Sequence, residues 1–115
     1  MRTIIAGSRT ITDMQLVVKA IQQAPFTITE IISGGAKGVD TLAQEYAKIN
    51  GIPFHLFEAD WAQYGRRAGF IRNEDMAIEA EALIAIWDEC SSGTRHMISI
   101  ALRYKLQIHV LKESQ

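Results

Sequence analysis

The sequence predicts one α/β domain spanning residues 1–115, a Rossmann-like three-layer sandwich around a five-stranded parallel sheet of order 3-2-1-4-5. Three observations carry this expectation. Short β-branched runs alternate with amphipathic segments along the whole chain, β-α-β-α-β-α-β-α-β, which places helices on both faces of a parallel sheet. The run from Leu83 to Trp87 is almost uninterruptedly apolar, as a central strand covered on both faces requires. Polar turns follow the first, second and fourth strands, at the edge where such sheets meet their ligands. Right-handed crossovers then leave few topologies.

The first strand is Thr3 to Ala6, ending at Gly7-Ser8-Arg9. Thr12 is the expected N-cap of the first helix, with Gln15 in the capping-box position. Met14, Val17, Val18 and Ile21 recur at helical spacing, and Pro25 closes the segment. Ile28 to Ser33 is the second strand. A second helix carries the stripe Val39, Leu42, Ala43, Tyr46 and Ala47 and stops at Asn50-Gly51. Pro53 introduces a third strand, Phe54 to Phe57, followed by an aperiodic connection from Glu58 to Arg67. A third helix is expected over Ala68 to Ala80, the fourth strand over Leu83 to Trp87, and a fourth helix over Arg95 to Tyr104. Gln107 to Leu111 is the last strand, and Lys112 to Gln115 reads as a frayed tail.

Composition narrows the function classes. With 48% hydrophobic and 22% charged residues the chain can bury a core, which argues against disorder. A formal net charge of −1 gives no global attraction to nucleic acid or membrane surfaces, so neither partner is expected. The single cysteine, Cys90, cannot form an internal disulfide and reads as a small structural thiol. No apolar run approaches a membrane span, and the start Arg2-Thr3-Ile4 has none of the architecture of a signal peptide. A cytoplasmic protein is expected. His55, His96 and His109 lack partners at metal-binding spacing, so neither a metal nor a cofactor is expected.

The candidate site lies on the rim that this topology creates. Gly7-Ser8-Arg9, the stretch Ser33-Gly34-Gly35-Ala36-Lys37-Gly38 with Asp40, and Ser91-Ser92-Gly93-Thr94 all stand where a strand gives way to a helix. Helix N-termini, backbone N–H groups and hydroxyls in such turns hold an anionic group without much net positive charge. Gly34, Gly35 and Gly38 are expected to let backbone approach a ligand closely. No G-x-G-x-x-G follows the first strand and no Gly-Lys stands in a Walker-A frame, which argues against a conventional dehydrogenase or P-loop ATPase. Arg72 and Asn73 lie in a basic stretch with Arg66 and Arg67. Arg72 is either a member of a solvated helix face or a guanidinium aimed at a phosphate, and spacing alone leaves both open. Trp61 and Tyr64 are either core packing or platforms for a base.

The runs Gly7-Ser8-Arg9 and Ser33-Gly34-Gly35-Ala36-Lys37-Gly38-Val39-Asp40-Thr41-Leu42-Ala43 resemble the SLOG superfamily. That superfamily includes the LONELY GUY-type phosphoribohydrolases and the Rossmann domain of the bacterial DNA-processing protein. Trp61, Tyr64-Gly65, Ala68-Gly69, Arg72-Asn73 and Met76 look like the central block of its small stand-alone branch in bacteria and phages. Trp87-Asp88 and Ser92-Gly93-Thr94 are similar to the next block. The resemblance implies a nucleotide-derived small-molecule ligand on this rim and a homodimer or higher homo-oligomer. It also implies a possible reaction, release of base and ribose 5-phosphate from a nucleoside 5′-monophosphate. The hydrolases' pattern Pro-Gly-Gly-x-Gly-Thr-x-x-Glu aligns here with Glu89-Cys90-Ser91-Ser92-Gly93-Thr94-Arg95-His96-Met97. Met97 stands where the glutamate would, and cannot stabilise the positive charge that develops on ribose as the glycosidic bond breaks.

The expectation is therefore binding without turnover, of an ADP-ribose-like or cyclic-nucleotide signal. The protein would act as a sensor or, if phage-encoded, as a sequestering anti-defence protein. Gly7, Ser8, Arg9, Ser33, Gly34, Gly35, Lys37, Gly38, Asp40, Arg72, Asn73, Ser92, Gly93 and Thr94 are the expected ligand contacts, with Arg95 in support and Trp61 or Tyr64 stacking on a base. The alternative is a phosphoribohydrolase using Arg72 and a carboxylate from Asp40, Glu74, Asp88 or Glu89. Single-stranded DNA binding is the weaker alternative, because the aromatics do not alternate with basic residues as a stacking groove needs.

Overall fold

A computed structural model describes residues 1–113; Ser114 and Gln115, at the end of the expected tail, lie outside the described residues. Five strands form one parallel sheet in the order β3-β2-β1-β4-β5. They are β1 (Arg2–Gly7), β2 (Glu30–Ser33), β3 (Phe54–Leu56), β4 (Ala82–Trp87) and β5 (Gln107–Lys112). The helices are α1 (Met14–Gln23), α2 (Val39–Asn50), the single turn α3 (Trp61–Tyr64), α4 (Ala68–Glu79) and α5 (Ser92–Arg103), with a 3₁₀ turn at Gly65–Arg67. This is the predicted fold and strand order.

Alternation along the central strands divides the core into two layers. Ile5, Ile31, Ile84 and Ile86 face α1 and α2, where they meet Val17, Val39 and Ala43. Ile4, Ile32, Leu83 and Ala85 face α4 and α5, where they meet Met76, Ala77, Met97 and Ala101. Each fully buried isoleucine contributes roughly 1.5–3 kcal/mol, enough to hold the register by itself, since a one-residue slip would turn every one to the wrong layer.

Several boundaries differ from expectation, each for a local reason. The N-cap of α1 is Asp13 rather than Thr12: its carboxylate accepts from Gln15 N at 2.9 Å and satisfies the first turn. Ala24 is extended because it precedes Pro25, so the helix ends at Gln23. β2 begins at Glu30 rather than Ile28, the first residue to pair with β1. The aperiodic connection contains α3, capped by Asp60 accepting from Gln63 N at 3.0 Å. α5 starts three residues early, at Ser92, which puts Gly93 and Thr94 inside its first turn rather than ahead of it. Lys112 belongs to β5 rather than to a tail, because it pairs with Trp87.

The winding reverses between β1 and β4, whose register runs from Thr3↔Ala82 to Gly7↔Ile86. The loops leaving β1, β2 and β4 therefore converge at one end of the sheet.

Candidate functional site

Three adjoining cavities occupy that end, and Arg9 and Arg72 line all of them. An inner cavity of about 70 Å³ is walled by Gly7, Asp40, Arg72, Asn73 and Thr94, with Met76 and Met97 as its apolar part. Beside it, sharing Arg9, Arg72, Asn73, Ser91 and Gly93 with it, lies an outer cavity of about 450 Å³ bounded also by Trp61, Arg66, Phe70 and Ser92. A flank of about 220 Å³ runs along Gly34, Gly35, Ala36, Glu58 and Trp61. The outer volume is that of a small-molecule site; the inner one holds only a few water-sized groups.

Arg72 reaches the cleft from α4 because Asn73 and Met76 pin that helix to the sheet, leaving residue 72 beside the β2–α2 turn. Its Nη1 donates to Gly34 O at 3.1 Å. The guanidinium lies so close over Gly34 that a Cβ there would sit 2.9 Å from Cζ. Glycine at 34 gives the guanidinium the room it occupies. Burial lowers the Arg72 pKa, and the Asp40 carboxylate partly restores it.

Asp40, in the first turn of α2, is 7% exposed and accepts from Ala36 N at 3.0 Å. Burial pushes its carboxyl up from 3.8 to about 6, against the pull of the Ala36 amide and of Arg72 and Arg9. Gly38 holds this turn against the first loop: its φ is +74°, and a Cβ would lie 2.6 Å from the Arg9 carbonyl.

The glycine turn differs from expectation in how its donors are used. Gly35 N donates to Ser33 Oγ at 3.4 Å and Ala36 N to Asp40. The turn thus supplies an acidic side chain to the cavity, and those two amides are already engaged. The first turn of α5 is different. Ser91 makes no side-chain cap, and Ser91, Ser92 and Gly93 border the outer cavity, so the dipole end of this helix faces the cleft. Asp88 shapes the preceding loop by accepting from Cys90 N and Ser91 N, both at 2.8 Å, which holds its pKa below the usual carboxylate range.

Of the expected contacts, Gly7, Arg9, Gly34, Gly35, Asp40, Arg72, Asn73, Ser92, Gly93, Thr94 and Trp61 line the cleft. Six others do not. Ser8 is fully buried and its Oγ accepts from Asp88 N at 3.0 Å, tying the first loop to the fourth strand's end. Ser33 is fully buried within its own turn. Lys37 is exposed away from the cavity walls, Gly38 packs against the first loop, and Tyr64 lies outside the lining residues. Arg95 stands 5.7 Å from the Trp87 ring centroid. Among the candidate carboxylates, Glu74 accepts from Tyr104 Oη at 2.9 Å and Glu89 pairs with Lys112 at 3.4 Å. Asp40 alone of the four reaches the inner cavity.

Phe70 was missed. It is 53% exposed, as Trp61 is 54%, and both border the outer cavity. Its ring centroid lies 4.3 Å from that of His96, whose Nδ1 stands 3.0 Å from Asn73 Nδ2. The available signal was an aromatic residue off the buried stripe of α4. Burial and Arg103 lower the His96 pKa, consistent with a neutral ring that accepts from Asn73.

Comparison with known proteins adds three findings. The model of YAcAr, the YspA, cpYpsA-related SLOG family, matches residues 1–64. The Gene 61 protein of Mycobacterium phage D29 is 33% identical over 106 residues, covering 83% of this chain and 83% of that protein. The X-ray structure of DNA processing protein A (DprA) from Streptococcus pneumoniae matches with a TM-score of 0.79 at 20% identity. That match covers 98% of this chain and 50% of the DprA chain, so this chain spans half the length of that protein and shares its fold.

Proposed function

The chain belongs to the YspA, cpYpsA-related SLOG family, and from that premise we propose that it binds a nucleotide-derived small molecule in the cleft and leaves it intact. One observation carries the reading: Arg9 and Arg72, from separate elements, line the same cleft as the uncapped first turn of α5. Guanidinium groups and a helix N-terminus together suit a phosphate, and the half-exposed Trp61 and Phe70 beside them suit a base.

Met97 favours binding over turnover. It is 1% exposed and forms part of the apolar wall of the inner cavity, where the resemblance to phosphoribohydrolases would require a glutamate. An ADP-ribose-like or cyclic-nucleotide signal fits the combination of phosphate and aromatic contacts. The phage origin of a 33% identical relative supports sequestration of such a signal; in a bacterium the same site would sense it. Ile78 on α4 and Leu102 on α5 are more than half exposed and offer apolar contacts for self-association, which sedimentation velocity measures.

Asp40 favours a second reading, hydrolysis of nucleoside monophosphates, since it brings a carboxylate into the inner cavity beside Arg72. Calorimetry with AMP, ADP-ribose and cyclic mononucleotides, followed by chromatography of the recovered ligand, separates the two. Binding that Arg72→Ala weakens at least about tenfold, with the ligand recovered whole, supports the first reading. Free base in the recovered fraction favours the second. Absence of binding by the whole panel, with a labelled oligonucleotide bound instead, would overturn both.

A further inference from the structure

Arg9, Trp61 and Arg72 border both the outer cavity and the flank, which otherwise have no lining residue in common. The outer cavity adds the ring of Phe70, a third guanidinium in Arg66 and the first turn of α5. The flank adds Glu58 and the backbone of Gly35 and Ala36. Phe70, Ser92, Gly35 and Glu58 are all exposed, so both cavities are open at the surface. A ligand can lie across the side chains they share without crossing a buried wall.

The shared guanidiniums are the part of this surface that suits an anion. Neither makes an ion pair among the described residues, where the pairs are His55–Glu30 and Lys112–Glu89. Arg72 keeps Nη1 on Gly34 O, and its Nη2 lies 4.0 Å from where a Cβ on Gly69 would sit, beside the outer cavity. Burial lowers the Arg72 pKa, Asp40 raises it, and the nearby Arg9 charge lowers it again, a repulsion that an anion between the two relieves. A phosphate at this junction joins whatever lies on its two sides. A mononucleotide, open or cyclic, puts a nucleoside on one side only and leaves the flank of about 220 Å³ unfilled. A nucleoside diphosphate esterified to a second group fills both. Its pyrophosphate offers more charge and more acceptor oxygens than a cyclic phosphodiester does to two guanidiniums of about five N–H donors each. Hydroxyls on the second group would donate to Glu58.

We propose that the cleft takes a two-part ligand, a nucleoside joined through a pyrophosphate to a second, hydroxyl-bearing group. The nucleoside lies in the outer cavity against Trp61 and Phe70, the pyrophosphate at Arg9 and Arg72, and the second group in the flank beside Glu58. The inference rests on the nucleotide-binding reading and deepens it, for it narrows the ligand to sugar-linked nucleoside diphosphates.

Calorimetry of the intact chain with AMP, cyclic AMP, ADP and ADP-ribose, at one ionic strength, tests it. ADP-ribose should bind at least about tenfold more tightly than AMP or cyclic AMP, and more tightly than ADP. ADP is the deciding control, because its terminal phosphate gives it more negative charge than ADP-ribose, so charge alone would rank it first. Glu58→Ala, at an exposed position, and Ala59→Trp, which crowds the flank, should each shrink the ADP-ribose preference over AMP toward one. A thermal melt confirms that each variant is folded. AMP, cyclic AMP or ADP binding as tightly as ADP-ribose, or a preference unchanged in the folded variants, overturns the two-part assignment and leaves the nucleotide site standing. Failure of all these ligands to bind overturns the site as well.

Discussion

Replacing Asp40 by asparagine changes the charge of the inner cavity with almost no change in its shape. The carboxyl sits at about 6 in the native chain against an ordinary 3.8, so the folded state holds this proton more tightly than the unfolded chain does. Between pH 4 and 6 the native state therefore binds more protons, and this group makes stability fall as pH rises through that window. Above pH 6 the cost of keeping the carboxylate buried is about 3 kcal/mol, at 1.36 kcal/mol per pH unit. The substituted amide escapes that cost and keeps an acceptor for Ala36 N, but faces the Gly34 amide with a weaker partner, which returns about 1 kcal/mol. The stability of Asp40→Asn relative to wild type should thus rise with pH, from slightly below zero at pH 4 to about 2 kcal/mol above it at pH 8. Urea denaturation of both chains across that range measures the difference. A difference that stays flat with pH, or falls, would show that Asp40 is not a carboxylate held against its solvation and would remove the electrostatic basis of the inner cavity.

Three other substitutions separate binding from folding. Gly34→Ala puts a Cβ against the Arg72 guanidinium, the mobile end of its side chain, so calorimetry should show about tenfold weaker ligand binding and urea denaturation a loss near 1 kcal/mol. Gly38→Ala combines a positive φ with a clash against the backbone at Arg9, and should cost about 3 kcal/mol or more in the same denaturation assay. Ser8→Ala leaves Asp88 N without its acceptor, and should cost about 1–2 kcal/mol while altering no cavity-lining side chain.

The strand order was legible because it depends on pattern: an apolar run at 83–87 and helical stripes between short strands leave few parallel arrangements. The rim followed from the same topology, which is why most of the candidate residues meet in one cleft. Side-chain direction was not legible. Ser8 turns inward to serve Asp88, 80 residues away, and Ser33 serves its own turn, so two hydroxyls expected on the ligand are structural. The glycine turn likewise looked like a phosphate cradle from its composition, whereas two of its amides are engaged internally and its contribution to the cavity is an acid. Phe70 escaped notice because its exposure follows from how α4 docks, through Ala68, Asn73, Met76 and Ala77, which a local pattern does not fix.

The central claim is that this cleft holds a nucleotide-derived ligand and does not break it. Heteronuclear NMR of the labelled chain, titrated with ADP-ribose and observed on backbone amides and on the arginine and tryptophan side-chain N–H groups, tests it most directly. The expected result is saturable movement of the Arg72 Nε, Trp61 indole and Gly93 and Thr94 amide signals, with the ligand's own resonances unchanged after prolonged incubation. Signals that do not move, that move away from the cleft, or that accompany release of free ribose or base would contradict the account.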